Sequence, residues 1–157
     1  MDSSTCPFPP NSPIAMYRKI LVALDTTASD QELLPPITQL AALLKSELLL
    51  LHVADGWVAR NFDQLNLAES EEMKEDRRYL EETAARLRAE AGLEVSVRLA
   101  LGNPPDQILN IADSENCDLI ALASHGHRLV GDILHGSTID EVRHRARVPI
   151  FAVPPKK

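Results

Sequence analysis

The residues best suited to chemistry in this chain are gathered between Ala123 and Thr138, in the run ASHGHRLVGDILHGST. Three of the six glycines (Gly126, Gly131, Gly136) and three of the five histidines (His125, His127, His135) lie there. The run follows the apolar segment Leu119-Ile120-Ala121-Leu122 and precedes a helical pattern that starts near Ile139. A glycine-rich connection from a strand end to a helix start can aim successive backbone N–H groups at an anion, and the helix adds its positive end. Gly126 would let the backbone approach phosphates, and Gly136 would permit tight entry to the helix. Ser137 and Thr138 would offer hydroxyl and N–H donors to β- and γ-phosphates. Asp25, just after an earlier apolar run, can accept from a ribose or adenine donor or hold a phosphate-bound metal. Spacing alone leaves a second reading open, in which the glycines only make turns and Ser137 is only a helix cap.

The histidines carry a weaker signal. No cysteine or fixed carboxylate joins His125, His127 and His135 at a zinc-like spacing, so hydrogen bonds from loop histidines to phosphates fit better than a metal site. His52, at a strand end, reads as a half-buried histidine with its partners in the fold. No nucleophile-elbow sequence is present. The Gly-Lys-Ser or Gly-Lys-Thr of a phosphate loop is also missing, so fast phosphoryl transfer lacks its usual equipment.

The elements that must position this loop follow from patterning. The chain has 157 residues, 45% of them hydrophobic and 25% charged, which fits one globular domain. A net charge of −7 argues against a nucleic-acid surface. No apolar run approaches the ~18 residues that span a bilayer, and no secretory signal is visible, so a cytoplasmic setting is expected. Two cysteines, Cys6 and Cys117, make no disulfide framework, and Cys117 reads as a small apolar filler. Residues 1–15 hold four of the eleven prolines without periodicity and are expected to be a disordered extension; residues 16–155 form the domain.

Ile20–Leu24 is a continuous apolar run bounded by charge, as in a parallel strand buried on both faces. Ser29-Asp30-Gln31-Glu32 predicts a capping box opening a helix with Leu33, Ile37, Leu40, Ala41 and Leu44 inward. Pro35 and Pro36 should kink that helix or delay its start. Glu47–Val53 predicts a second strand. A helix over 69–91 follows, with an apolar seam of Met73, Leu80, Ala84, Leu87 and Ala91, stopped by Gly92. Its acidic start reads as a solvated face. Glu94–Leu101 alternates like a strand near an edge. Asn103 then caps a helix with Pro104 at its first position. Asp118–Ala123 is a fourth strand, Ser137 or Thr138 caps a last helix, and Val148–Val153 is a fifth strand. Such alternation predicts an α/β fold, a parallel sheet sandwiched by helices with right-handed crossovers. Ligands bind such sheets beyond the carboxyl ends of the strands, where the order reverses. If the first and fourth strands are neighbours there, Asp25 and the 123–138 loop face one crevice.

These residues together resemble the universal stress protein family across residues 16–155. Met16–Asp25 is similar to that family's first strand, Leu51-His52-Val53 to its second strand end, and Gly102-Asn103-Pro104 to the turn before its third helix. The specific signature is glycine, two residues, glycine, nine residues, then glycine followed by serine or threonine; Gly126, nine residues and Gly136-Ser137 match it in register. The signature's first glycine is Ala123 here. A methyl group thus stands where ATP-binding members bring the backbone near the ligand, and weakened or unchanged binding is expected rather than loss.

The resemblance implies a single-domain, Rossmann-like, five-stranded parallel sheet of order 3-2-1-4-5. It implies Asp25 at the adenine or ribose end of an ATP with Ala23 beside it, and Val53 against the base. Leu122 and Ala123 would lie under the ribose, Gly126 and His127 along the phosphates. Gly136, Ser137 and Thr138 would close over the β- and γ-phosphates, with Mg2+ or Mn2+ accompanying them. It further implies a homodimer through Val148–Val153; on the charge and hydropathy above, neither nucleic acid nor membrane is expected as a partner. The implied role is an ATP-binding stress sensor or regulator with at most slow turnover, and no catalytic residue is assigned. A nucleotide-independent dimeric interaction module with a lapsed site and a slow ATPase using Asp25 and a loop histidine are the rival readings.

Overall fold

The computed structural model describes residues 16–54, 71–124 and 138–154. Within them the chain runs β1 (Lys19–Leu24), α1 (Ser29–Leu44), β2 (Glu47–Ala54), α2 (Glu71–Ala91), β3 (Val95–Leu101), α3 (Pro104–Ser114), β4 (Leu119–Ala123), α4 (Thr138–Arg145) and β5 (Ile150–Val153). The strands form one parallel sheet of order β3-β2-β1-β4-β5, the predicted order. β1 is its centre: Val22 pairs with Leu50 on one side and Ala121 on the other. Ile20, Leu21 and Val22 are wholly buried, as a strand covered on both faces requires.

Side-chain alternation along the strands divides the core between the two faces. Ile20, Val22, Leu24, Leu48 and Leu50 pack under α1 and α2, against Leu33, Ile37, Leu80 and Ala84. Leu21, Leu49, Leu51, Ile120 and Leu122 pack under α3 and α4, against Ile108, Ala112 and Val142. Cys117 is buried in this second cluster as a small apolar filler, and burial pushes its thiol up to about 11. At the amino edge of the sheet, the Asp118 carboxylate accepts from the Arg18 and Lys19 N–H groups at 2.8 and 3.1 Å. Lys19 pairs there with Glu115 and Glu47, and Arg98 with Glu115. These contacts tie β1 to its neighbours at the end opposite the strands' carboxyl termini.

The structure departs from the sequence expectations in identifiable places. α1 is neither delayed nor divided at its prolines; it runs from Ser29 through Pro35 and Pro36 to Leu44. Proline removes the helical donors to the carbonyls of Gln31 and Glu32. Pro35 is exposed and Pro36 half-buried, so that face meets water while Leu33, Leu34, Ile37 and Ala41 anchor the other in the core. The predicted capping box is not formed. The helix has Ala28 at its cap position without a side-chain cap, and Thr27 Oγ1 takes the Ser29 N–H at 3.2 Å.

The fifth strand begins at Ile150, not Val148, because Pro149 has no N–H for the ladder; its carbonyl still accepts from Ile120 at 3.1 Å. The α3 start follows prediction: the Asn103 side chain accepts from the Asp106 N–H at 3.3 Å, with proline next. Gly92 ends α2 with φ +63°. Among the described residues no helix is long and apolar enough to cross a membrane.

Candidate functional site

The strand order reverses at β1. The chain steps outward from β1 to β2 to β3, then crosses back so that β4 lies on the other side of β1. The carboxyl ends of β1 and β4 are therefore neighbours, with Ala23 in register with Leu122. In open parallel sheets this is where a crevice forms between connections that leave in opposite directions. Asp25 follows β1 directly and Ser124 follows β4, with the Ser124 N–H donating to the Val153 carbonyl at 2.8 Å.

The expected site residues divide by face. Ala23 and Val53 are half-buried against the cluster under α3 and α4, and Leu122, 4% exposed, belongs to that cluster. Leu122 is thus core. Ala123 points to the opposite face and packs against the cluster under α1 and α2. Thr138 is half-buried as the first residue of α4. Gly126, His127, Gly136 and Ser137 lie outside the described residues, as do His125, Gly131 and His135 and the extension of residues 1–15. Among the described residues no group of three His, Cys, Asp or Glu side chains could hold a metal ion.

The turn that carries Asp25 is built by hydrogen bonds from side chains. Asp25 Oδ1 accepts from the Thr27 N–H at 2.9 Å and from its hydroxyl at 2.6 Å. Thr26 sits at φ +62°, in the left-handed region that a β-branched residue seldom occupies. Asp30, 1% exposed, turns back from the first turn of α1 and accepts the Asp25 N–H at 3.0 Å and the Thr26 N–H at 2.9 Å. The Tyr79 hydroxyl of α2 donates to the same carboxylate at 2.9 Å.

Burial pushes the Asp30 carboxyl up to about 6, helped by the Asp25 charge and opposed by the hydrogen bonds it accepts. Burial and the negative charge of Asp30 push the Tyr79 phenol up as well. Because the folded value of Asp30 lies above the ordinary 3.8, its contribution favours the fold fully below that value. It is lost as pH rises through about 6. At neutral pH the ionised carboxylate is therefore a cost to the fold.

α2 reaches this edge a second time. His52 Nδ1 donates to the Leu24 carbonyl at 2.8 Å, and His52 Nε2 lies 3.4 Å from the Asp76 carboxylate. His52 is thus the satisfied, half-buried histidine the sequence implied. Asp76 departs from the solvated face expected for the acidic start of α2.

Asp30 and Tyr79 were not legible as site residues from motif spacing. A signal for Asp30 did exist: it stands three, four and seven residues before Leu33, Leu34 and Ile37. That places a carboxylate on the buried face of an amphipathic helix, where it needs partners.

Residues 16–154 match the model of the Universal stress protein family. The chain belongs to the universal stress protein family. Among relatives, universal stress protein MJ0577 of Methanocaldococcus jannaschii is 26% identical over 154 residues, covering 88% of this chain and 95% of that protein. The fold is shared with solved members of the family. A universal stress protein from Archaeoglobus fulgidus, solved in complex with dAMP, superposes with a TM-score of 0.64 at 20% identity, over 88% of this chain and 98% of that one. A universal stress protein solved in complex with cAMP gives 0.67 at 19%, over the same shares.

Proposed function

We propose that this member of the universal stress protein family binds ATP at the carboxyl edge of its sheet and acts as a stress-response sensor or regulator. The observation that carries the reading is the adjacency of the β1 and β4 carboxyl ends, with Asp25 following one in sequence and the Gly126 to Gly136-Ser137 run following the other. Asp25 serves the ribose or adenine, and Ala23, Val53 and the Leu122 backbone line the side toward α3 and α4. Gly126, His127, Gly136, Ser137 and Thr138 take the phosphates, where Mg2+ or Mn2+ would share the negative charge. Two proteins of the same fold hold adenine nucleotides, cAMP in one and dAMP in the other, which supports the ligand class. Without a phosphate-loop lysine, turnover is slow at most.

The second reading is a nucleotide-independent dimeric module. It is favoured by β5, an edge strand with half-buried Ile150, Phe151 and Val153 that pairs with β4 in this chain. Antiparallel pairing of that edge with a second copy would cover it. One experiment separates the readings: ATP with Mg2+ is titrated into the protein by calorimetry, with sedimentation run before and after. Binding in the micromolar range supports the ATP reading. A dimer that gives no heat with millimolar ATP overturns it in favour of the module.

Ala123, the departure from the family's glycine signature, gains a physical account from its face. Its methyl points toward α1 and α2, away from the face shared by Ala23, Val53 and Leu122. Ala123→Gly is accordingly expected to leave ATP affinity within about twofold while lowering stability by about 1 kcal/mol, the cost of a strand glycine. A gain in affinity of about tenfold or more would mean that the methyl reaches the ligand.

A further inference from the structure

We propose that Asp30 is the positioning residue of the ligand-facing turn, its ionised carboxylate holding Asp25 and Thr26 in their binding shape, with Tyr79 linking that turn to α2. The binding part of this inference rests on the nucleotide reading above; the positioning part does not.

Asp30 does not act as a helix cap. Its two oxygens are turned away from its own helix and receive the N–H groups of residues five and four positions upstream. One of these is Thr26, whose positive φ is a conformation that persists only where surrounding contacts determine it. The same turn orients the Asp25 carboxylate through Thr27. A buried carboxylate with three donors, on a helix face otherwise made of the apolar Leu33, Leu34, Ile37 and Ala41, therefore sets where Asp25 stands. Tyr79, bound to Asp30 Oδ2, makes the setting sensitive to the position of α2.

Among the described residues, the charged and titratable groups facing Asp30 are Asp25 from the turn and Tyr79 from α2, with Arg86 of α2 acting on Tyr79. Protonation would turn one acceptor oxygen into a donor and leave part of the turn without its partner. The folded carboxyl has its midpoint near 6, so the turn loosens on mild acidification. The cost of keeping this group ionised at neutral pH fits a residue retained for its position.

The test follows the backbone amide resonances of Asp25 and Thr26 by NMR from about pH 5 to about pH 8, across the range where the carboxyl changes charge. In the unmodified protein both amides should titrate with a midpoint near 6. Asp30→Asn should abolish that step, and Tyr79→Phe, which removes a donor to the carboxylate, should move its midpoint upward. If Asp30→Asn fails to fold, the Tyr79→Phe midpoint decides. Calorimetry with MgATP at neutral pH should show affinity reduced on the order of tenfold in Asp30→Asn, as for one lost charge-assisted hydrogen bond.

Amide shifts that do not titrate, or that titrate alike in all three proteins, overturn the proposal. So does unchanged affinity in Asp30→Asn where the unmodified protein binds. Failure of the unmodified protein to bind MgATP overturns the nucleotide reading and the binding part, while the amide titration still decides the positioning.

Discussion

If the proposed ATP site is right, Gly136→Val is expected to lower ATP affinity by about 100-fold and to leave the fold in place. Gly136 and Ser137 immediately precede α4, which begins at Thr138. A ligand phosphate there would meet the N–H groups at the helix's positive end. Each charge-assisted hydrogen bond of this kind contributes about 1.5–3 kcal/mol, so displacing one or two accounts for a loss of this size. The first turn of α4 also carries Asp140 and Glu141, which would repel an anion if left bare. Arg143 lies 3.4 Å from Asp140 and Arg145 3.8 Å from Glu141, so that charge is offset within the helix. Calorimetry with MgATP, alongside a thermal melt, reads both halves of the expectation. Affinity retained within about threefold would put the phosphates elsewhere.

Leu50→Ala is expected to destabilise the fold by about 3 kcal/mol, within the range for a buried leucine truncated to alanine. Leu50 is wholly buried, paired with Val22 of β1 and Val97 of β3, in the cluster that packs α1 and α2 onto the sheet. A domain of this size should then melt roughly 10 °C lower, and the urea midpoint should fall without a change in slope. The variant distinguishes a closely packed core, in which a cavity stays open, from one that collapses around the gap. A loss below about 1 kcal/mol would indicate collapse.

How far the fold was legible depended on how local each signal was. The apolar runs at Ile20–Leu24 and Leu119–Leu122 identified strands covered on both faces, because burial on both sides leaves no room for alternation. Asn103-Pro104 announced the start of α3, because a cap and a first-turn proline act within a few residues. Pro35 and Pro36 misled for the complementary reason: their local preference against helix was outweighed by Leu33, Leu34 and Ile37 packing into a distant sheet. Ser29 and Glu32 matched a capping pattern, yet Asp30 between them made the decisive contacts, with Tyr79 49 positions away in sequence.

The candidate site was legible to a similar depth. Sequence by itself determined the alternation of strand and helix, the glycine spacing ending at Gly136-Ser137, and the place of Asp25 at a strand end, since each depends on neighbours along the chain. Tertiary structure alone decided that Leu122 and Ala123 serve opposite faces and that His52 bridges the Leu24 carbonyl and Asp76. It also decided that a buried Asp30 holds the Asp25 turn. Those contacts join segments that meet only after the sheet has assembled, and the energy that holds a polar group in such a place comes from partners the local sequence does not contain.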